Sequence, residues 1–322
     1  MDKGIATSLA SSSPLINNDV VIIGSGLGGL TCALELARQG LKVCVLERHR
    51  VAGGYAHSFR RKGYHFDISL HLIGGLAPGC LTHGVLKSLG VLEKLRIQRR
   101  DALFSVQFPD FSMVLPNQRD ELLGELCDRF PSERSRLTEL FDFLPKLKHD
   151  VMGPWIDPEF DVPLEKRISA QFVDKTFGDF LDGFLSDAKL KAILGQLWMS
   201  IGLPPSLSTA TFSTCVFCSY FLEGAYYIVG GGAALVRAMI ERLRDLGGDC
   251  ITGAEVKRIV VDDNAVAGVE LRNGQSVTAS TVVSGADPHH GRAPGAAAGA
   301  LSPWVPGPVT ERERSSSAGT SA

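Results

Sequence analysis

The chain has 322 residues, 44% of them hydrophobic and 21% charged, with 35 glycines and 16 prolines. That length accommodates two hydrophobic cores of ordinary size, and the composition excludes a disordered, collagen-like or disulfide-scaffold polypeptide. Thirty-three basic residues against 35 acidic ones leave a net charge of −2, which gives no electrostatic reason to expect a nucleic-acid partner.

The first fifteen residues, MDKGIATSLASSSPL, lack the apolar core of a secretory signal. Residues 19–24 (DVVIIG) form an apolar run ending on glycine, which predicts a buried parallel strand. Leu30, Ala33, Leu34 and Ala37 follow at the spacing of one helical face, and 42–47 (KVCVLE) predict a second strand closing on an acid. The glycines and Glu35 within 20–37 make this window a poor membrane span. Ser58–Ser69 reads as two short strands around Lys62-Gly63, and 103–115 as a hairpin turning at Pro109-Asp110. From Asn117 to Leu197 the pattern is mainly helical, with Ser132 and Ser186 as candidate N-caps and Leu137, Leu140, Phe141 and Leu144 as one buried face. A break at 203–208 (LPPSLS) ends that region. Gly230–Gly232 then open a helix bearing Leu235, Met239 and Leu243. Short strands are expected at Val256–Val261, Ala265–Leu271 and Ser276–Thr278, with Asn273-Gly274 as a hairpin turn and 282–285 as a further strand. In 291–322, Ala, Gly, Pro and Ser make up 21 of the 32 residues, so this tail is expected to be disordered. Seven scattered cysteines, odd in number, predict free thiols in a reducing, cytoplasmic compartment.

Gly24-Ser25-Gly26-Leu27-Gly28-Gly29 is G-x-G-x-x-G set between a predicted strand and a predicted helix. In that setting Gly24 permits the tight turn, Gly26 the approach of a pyrophosphate, and Gly29 close helix–strand packing. Glu47 falls eighteen residues after Gly29, at the end of the next strand, where it would accept hydrogen bonds from ribose hydroxyls. Strand, loop, helix, strand and acid together predict a dinucleotide site.

Residues 20–75, through the second glycine pair Gly53-Gly54 and the run Phe66, Asp67, His71 and Gly74, resemble the phytoene desaturase, carotenoid isomerase and retinol saturase family of flavoproteins. The likeness resumes over 226–288, so about 120 residues carry it, while 76–225 share only the layout. The resemblance implies FAD, with Gly24, Ser25, Gly26, Leu27, Gly28, Gly29, Glu47, Arg48, Gly53, Gly54, Val256, Gly285 and Ala286 around the cofactor. It further implies hydride transfer between flavin and an apolar polyprenoid substrate. Two departures stand out. Tyr55 follows the glycine pair where many relatives in the wider amine-oxidase-like superfamily carry Arg, and the family's closing FAD segment is not found after Pro288. An incomplete flavoenzyme is therefore expected.

The expected architecture is α/β. A Rossmann-like FAD domain with a parallel sheet and a β-meander comprises 16–75 and 226–290. A mostly helical substrate domain, 76–225, is inserted into it. An NAD(P)-dependent dehydrogenase would use the same loop and Glu47 but would leave Gly53-Gly54 and 226–288 unexplained. A non-catalytic nucleotide-binding protein is the other alternative. Cys215-Val-Phe-Cys218 reads as a pair of core thiols rather than a metal or redox pair, because no second such pair exists. His57 and His71 read as structural, and Asp67 as fixing a turn through backbone amides. His289-His290 receive no role, and catalytic residues are unknown. Phe172, Phe177, Phe180, Phe184, Trp198, Phe212, Phe217 and Phe221 read as helix core that could in part line a substrate tunnel. A polyprenoid drawn from a bilayer implies apolar, peripheral membrane contact through 76–225.

Overall fold

The computed structural model describes residues 17–157 and 159–286. The expected disordered tail, 291–322, and His289-His290 lie outside them. In chain order the first elements are β1 (Asn18–Ile23), α1 (Leu27–Arg38), β2 (Val43–Glu47), β3 (Ser58–Arg61), β4 (Tyr64–Asp67), β5 (Ile73–Gly74) and α2 (Leu81–Ser88). Next come β6 (Ile97–Arg99), β7 (Ala102–Gln107), β8 (Ser112–Pro116), α3 (Arg119–Arg129), α4 (Arg134–Ile156), α5 (Phe177–Phe184), α6 (Ala188–Leu194), α7 (Trp198–Ile201) and α8 (Ala210–Phe217). The last are β9 (Ala225–Ile228), α9 (Gly231–Asp245), β10 (Asp249–Thr252), β11 (Val256–Asp262), β12 (Ala265–Leu271) and β13 (Ser276–Ser284). They group into two units, one of residues 17–73, 82–98 and 226–286, the other of 74–81, 99–157 and 159–225.

In the first unit a six-stranded sheet runs β10-β2-β1-β13-β12-β11. β10, β2, β1 and β13 are parallel, whereas β11, β12 and β13 form an antiparallel meander. The architecture is thus the α/β fold that the strand–helix–strand pattern predicts. Val20, Val21 and Ile22 are buried, as is every residue of β2, which explains why these central strands read as unbroken apolar runs. α1 buries the face predicted for it, Leu30, Ala33, Leu34 and Ala37. On the sheet, Val21, Leu46, Ile251, Val269, Leu271 and Val277 form one apolar cluster. Ser276–Thr278 and 282–285, expected as separate strands, are largely one continuous strand, β13. Its start pairs with β12 and its end with β1. The polar stretch Ser280-Thr281 conceals that continuity because it borders β1 without an apolar pattern of its own.

The second unit is mostly helical. α4 buries Leu137, Leu140, Phe141 and Leu144 as predicted. The N-cap assignments need correction. Ser132 lies within a short 3₁₀ turn, Pro131–Glu133, and Glu133 immediately precedes α4. α6 is capped by Asp187, whose carboxylate accepts from Leu190 N at 2.9 Å, and not by Ser186. Ser186 N instead donates to Glu133 Oε1 at 2.9 Å. α5 starts with a capping box, Thr176 and Asp179 bonding reciprocally.

Candidate functional site

Every residue expected around a cofactor lies in the first unit. At the end of β1, Gly24 takes φ +98°, a conformation in which a side chain would be strained. A Cβ on Gly29 would lie 2.2 Å from the Gly24 carbonyl oxygen, so the helix can pack this closely on the turn only without one. Gly26 and Gly28 by contrast face open space.

Glu47 is buried at the end of β2, 7% exposed. Its Oε2 accepts from Ser25 N at 2.9 Å and from Ser25 Oγ at 2.7 Å, and its Oε1 accepts from His49 N at 2.8 Å. Burial opposes ionisation of this carboxyl, but the His49 and Ser25 amides and the Ser25 hydroxyl outweigh it and hold the group below the usual carboxylate range. Ser25 Oγ also accepts from Gly53 N at 3.0 Å. One hydroxyl thus links the first glycine loop, the acid and the second glycine pair. Gly53 (φ +118°) would clash with Val236 if it carried a Cβ, and a Cβ on Gly54 would sit 3.1 Å from Gly26 Cα. The second pair therefore rests directly on the first loop.

Val256 opens β11, and the loop before it is tied to the end of β2 by Ala254 N donating to Glu47 O at 2.8 Å and Gly253 N to His49 O at 2.9 Å. Gly285 N donates to Ile23 O at 2.8 Å, and the Gly285 carbonyl lies 3.8 Å from where a Gly24 Cβ would be. Ala286 N donates to Ser284 Oγ at 3.3 Å. Arg48 is exposed just beyond β2. The structure therefore gathers Gly24, Ser25, Gly26, Glu47, Gly53, Gly54 and Gly285 into one cradle. Leu27, Gly28 and Gly29 form the opening turn of α1 beside it.

The two long helices of this unit differ at their N-termini. α9 is capped by the chain's own anion: Asp67 Oδ1 accepts from Gly232 N at 3.2 Å and from Ser58 Oγ at 2.6 Å, and burial together with this carboxylate raises the pKa of the Tyr227 hydroxyl. Gly231 and Gly232 are small because Asp67 and the Ala56 carbonyl lie within 2.0 and 2.3 Å of their would-be Cβ positions. Asp67 thus fixes a backbone turn, as expected; Ser58 and Tyr227, its partners, carry no sequence signal of that role. α1 has no acid in its first turn and no side-chain cap. An uncapped helix N-terminus behind two open glycines, flanked by a buried, preorganised carboxylate, suits a ligand bearing both phosphates and ribose hydroxyls. FAD fits that description.

The other candidates sit elsewhere. His57 Nδ1 lies 2.6 Å from Gly54 O, a backbone contact that fits a structural histidine, while His71 is exposed. All seven cysteines are free thiols, and burial pushes that of Cys218 up to about 12. No cluster of metal-ligating groups occurs among the described residues. Phe177, Phe180, Phe217 and Phe221 are buried in the second unit, whereas Trp198 and Phe212 are exposed. The void beside Phe177, Trp198 and Phe217 holds only about 10 Å³, which is room for at most one water. A larger cleft of about 640 Å³ has a mixed lining, with Asp101, Glu121, Glu125 and Arg129 beside Ala102, Met113, Val114 and Pro116.

Comparison with known proteins identifies a flavin-dependent family. The sequence pattern of the family described as flavin containing amine oxidoreductase matches residues 27–318. Prolycopene isomerase 1 of an Oncidium hybrid cultivar is 26% identical over 281 residues, covering 83% of this chain and 48% of that protein. The all-trans-retinol 13,14-reductase of Rattus norvegicus is 26% identical over 275 residues, 80% of this chain and 45% of that protein. The chain therefore spans about half the length of these curated relatives. An oxidoreductase from Methanosarcina mazei shares the fold with a TM-score of 0.57 at 19% identity, covering 82% of this chain and 58% of that one. A putrescine oxidase crystallised with putrescine shares it with a TM-score of 0.55 at 17% identity, covering 83% and 57%. The chain belongs to the flavin containing amine oxidoreductase family, the FAD-dependent oxidoreductases whose cofactor the cradle around Gly24, Ser25 and Glu47 suits.

Proposed function

We propose that the chain binds FAD and performs oxidoreduction on an apolar polyprenoid, carotenoid- or retinoid-like. The single observation that carries the cofactor assignment is the uncapped N-terminus of α1 set against the buried Ser25–Glu47–Gly53 relay. In this reading the amides of Leu27, Gly28 and Gly29 meet the pyrophosphate and Glu47 Oε1, which accepts from the His49 amide, also receives a ribose hydroxyl. Gly53, Gly54, Gly285 and Ala286 allow close approach of the cofactor, Val256 meets the adenine through its main chain, and Arg48 borders the ribose. FAD supplies hydride acceptance or donation when bound; the protein supplies placement and excludes water. The relatives' names, one for a prolycopene isomerase and one for a retinol reductase, support the substrate class. Residues 16–75 and 226–290 serve as the cofactor domain and 76–225 as the substrate domain, with 82–98 of the latter grouping with the first unit. Free thiols support a cytoplasmic location, and no helix among the described residues is long and apolar enough to cross a membrane. Membrane contact is peripheral in this reading.

The absorption spectrum of the purified chain tests the proposal, since bound flavin is yellow and a nicotinamide dinucleotide is not. Glu47→Ala should weaken FAD binding by roughly 1–3 kcal/mol, the loss expected for hydrogen bonds to a charged group at a buried site. Unchanged flavin affinity in that variant removes Glu47 from the site. Stoichiometric flavin with turnover of a polyprenoid supports the full proposal. Absence of bound flavin, or no turnover of a polyprenoid by the flavin-loaded chain, counts against it.

A further inference from the structure

The β3–β4 hairpin has two unlike faces. Its register pairs Ser58 with Asp67, Phe59 with Phe66, Arg60 with His65 and Arg61 with Tyr64, and alternate pairs point to opposite sides. Ser58 and Asp67 are occupied with the start of α9. The other side carries Phe59, Phe66, Tyr64 and Arg61, with the three rings 44%, 43% and 72% exposed. Phe59 and Phe66 stack at 5.1 Å, and Tyr64 tilts against Phe66 at 6.5 Å. At the tip, Lys62 (φ 50°) and Gly63 (φ 84°) form a tight two-residue turn, and Lys62 is exposed. The hairpin, residues 58–67, carries Arg60, Arg61 and Lys62 against one acid, Asp67, which is engaged with the start of α9, in a chain whose net charge is −2.

Contiguous exposed rings mark an interaction surface more often than scattered ones do. This face is four residues long, about 13 Å at strand rise, which is short for a stable protein interface of roughly 800 Å² per partner. It matches the headgroup layer of a bilayer, where aromatic rings lie at the boundary of water and acyl chain and Arg or Lys meets anionic lipid. We propose that the β3–β4 hairpin docks on an anionic membrane surface. Phe59, Tyr64 and Phe66 enter the headgroup layer, and Arg61 and Lys62 pair with lipid phosphates or carboxylates. The contact thus lies on the nucleotide-binding unit and uses charge as well as apolar surface, unlike the purely apolar contact expected for 76–225. It holds whether or not the substrate is a polyprenoid.

Co-sedimentation of the full chain with phosphatidylcholine vesicles, with and without phosphatidylserine, tests this. Binding is expected only with phosphatidylserine and weakens as salt rises. Arg61→Gln and Lys62→Gln should each lower partitioning about fivefold. Tyr64→Ser should lower it with little change in the salt slope. Tyr64→Trp, which retains an aromatic ring, should fold and shift its emission to the blue on addition of anionic vesicles. Equal binding to neutral vesicles, or indifference to the Arg61 and Lys62 substitutions, overturns the proposal. So does a chain that ignores vesicles but changes from dimer to monomer with Tyr64→Ser, or one that binds oligonucleotide in place of lipid.

Discussion

Ser25 does more than a variable position in a glycine motif suggests. Its hydroxyl donates to Glu47 and accepts from Gly53 N, so Ser25→Ala removes two buried hydrogen bonds at once. A stability loss of about 1–3 kcal/mol is expected, read as a lower urea midpoint at unchanged slope. Glu47 carries a pH signature. Its folded carboxyl titrates below the unfolded value of 4.5, so its contribution is fully present above that pH and is lost as pH falls through the folded value. Glu47→Gln should therefore flatten the acid limb of a stability–pH curve below about pH 4.5. The glycines and Glu47 were legible in the sequence because each backbone demand admits few residue types. The Ser25 hydroxyl was not, since its partners lie 22 and 28 residues away and no spacing rule connects them.

At the scale of elements, close backbone approach decides what can change. Gly29→Ala places a Cβ 2.2 Å from the Gly24 carbonyl, and Gly232→Ala places one 2.3 Å from the Ala56 carbonyl. Both obstacles are backbone, so each variant should either shift its helix or lose the fold of the first unit, visible as a lowered melting temperature. Gly28→Ala, with nothing within 4 Å, should melt like the parent and serves as the control. In the second unit Lys148 Nζ, on α4, donates to Glu223 and to Ser219 Oγ, and burial together with the same carboxylate raises the pKa of the Cys80 thiol. Lys148→Met leaves a half-buried carboxylate without its cation and should cost roughly 1–3 kcal/mol in urea unfolding. Lys148→Met with Glu223→Gln should recover part of it, because no buried charge is then left unmatched. The helical faces were readable from their 3.6-residue period. The caps were not: Ser186 and Asp187 are adjacent and both suitable, and Glu133 draws the amides of both, leaving only Asp187 to bond back into its helix.

Across the whole molecule, the parts of the sheet that could be read early are those whose residues are buried on both faces. β1 and β2 announce themselves by uninterrupted Val, Ile and Leu. β10, four residues long and beginning with Asp249, was missed because nothing in so short a run distinguishes a strand from a loop. β13 was divided because its pairing partner changes along its length, and no local pattern encodes a change of neighbour. That change of neighbour has a kinetic consequence. β1 is sandwiched between β2, which follows it within about two dozen residues, and β13, whose Thr278 hydroxyl accepts from Asn17 N across 261 positions of sequence. A ribosome therefore finishes β1, α1 and β2 long before the strand that covers the other edge of β1 exists. Until then the growing chain carries an open strand edge, its unpaired backbone groups bordered by the apolar run Val20–Ile23, the kind of surface that invites mispairing and chaperone capture. Contacts of such separation also fold slowly. In pulse-labelled hydrogen exchange during refolding, the amides of β1 and β13 should gain protection together in the slowest phase, while α1 and α9 gain theirs earlier. Protection of β1 in the fast phase would mean that some other strand first occupies the place of β13.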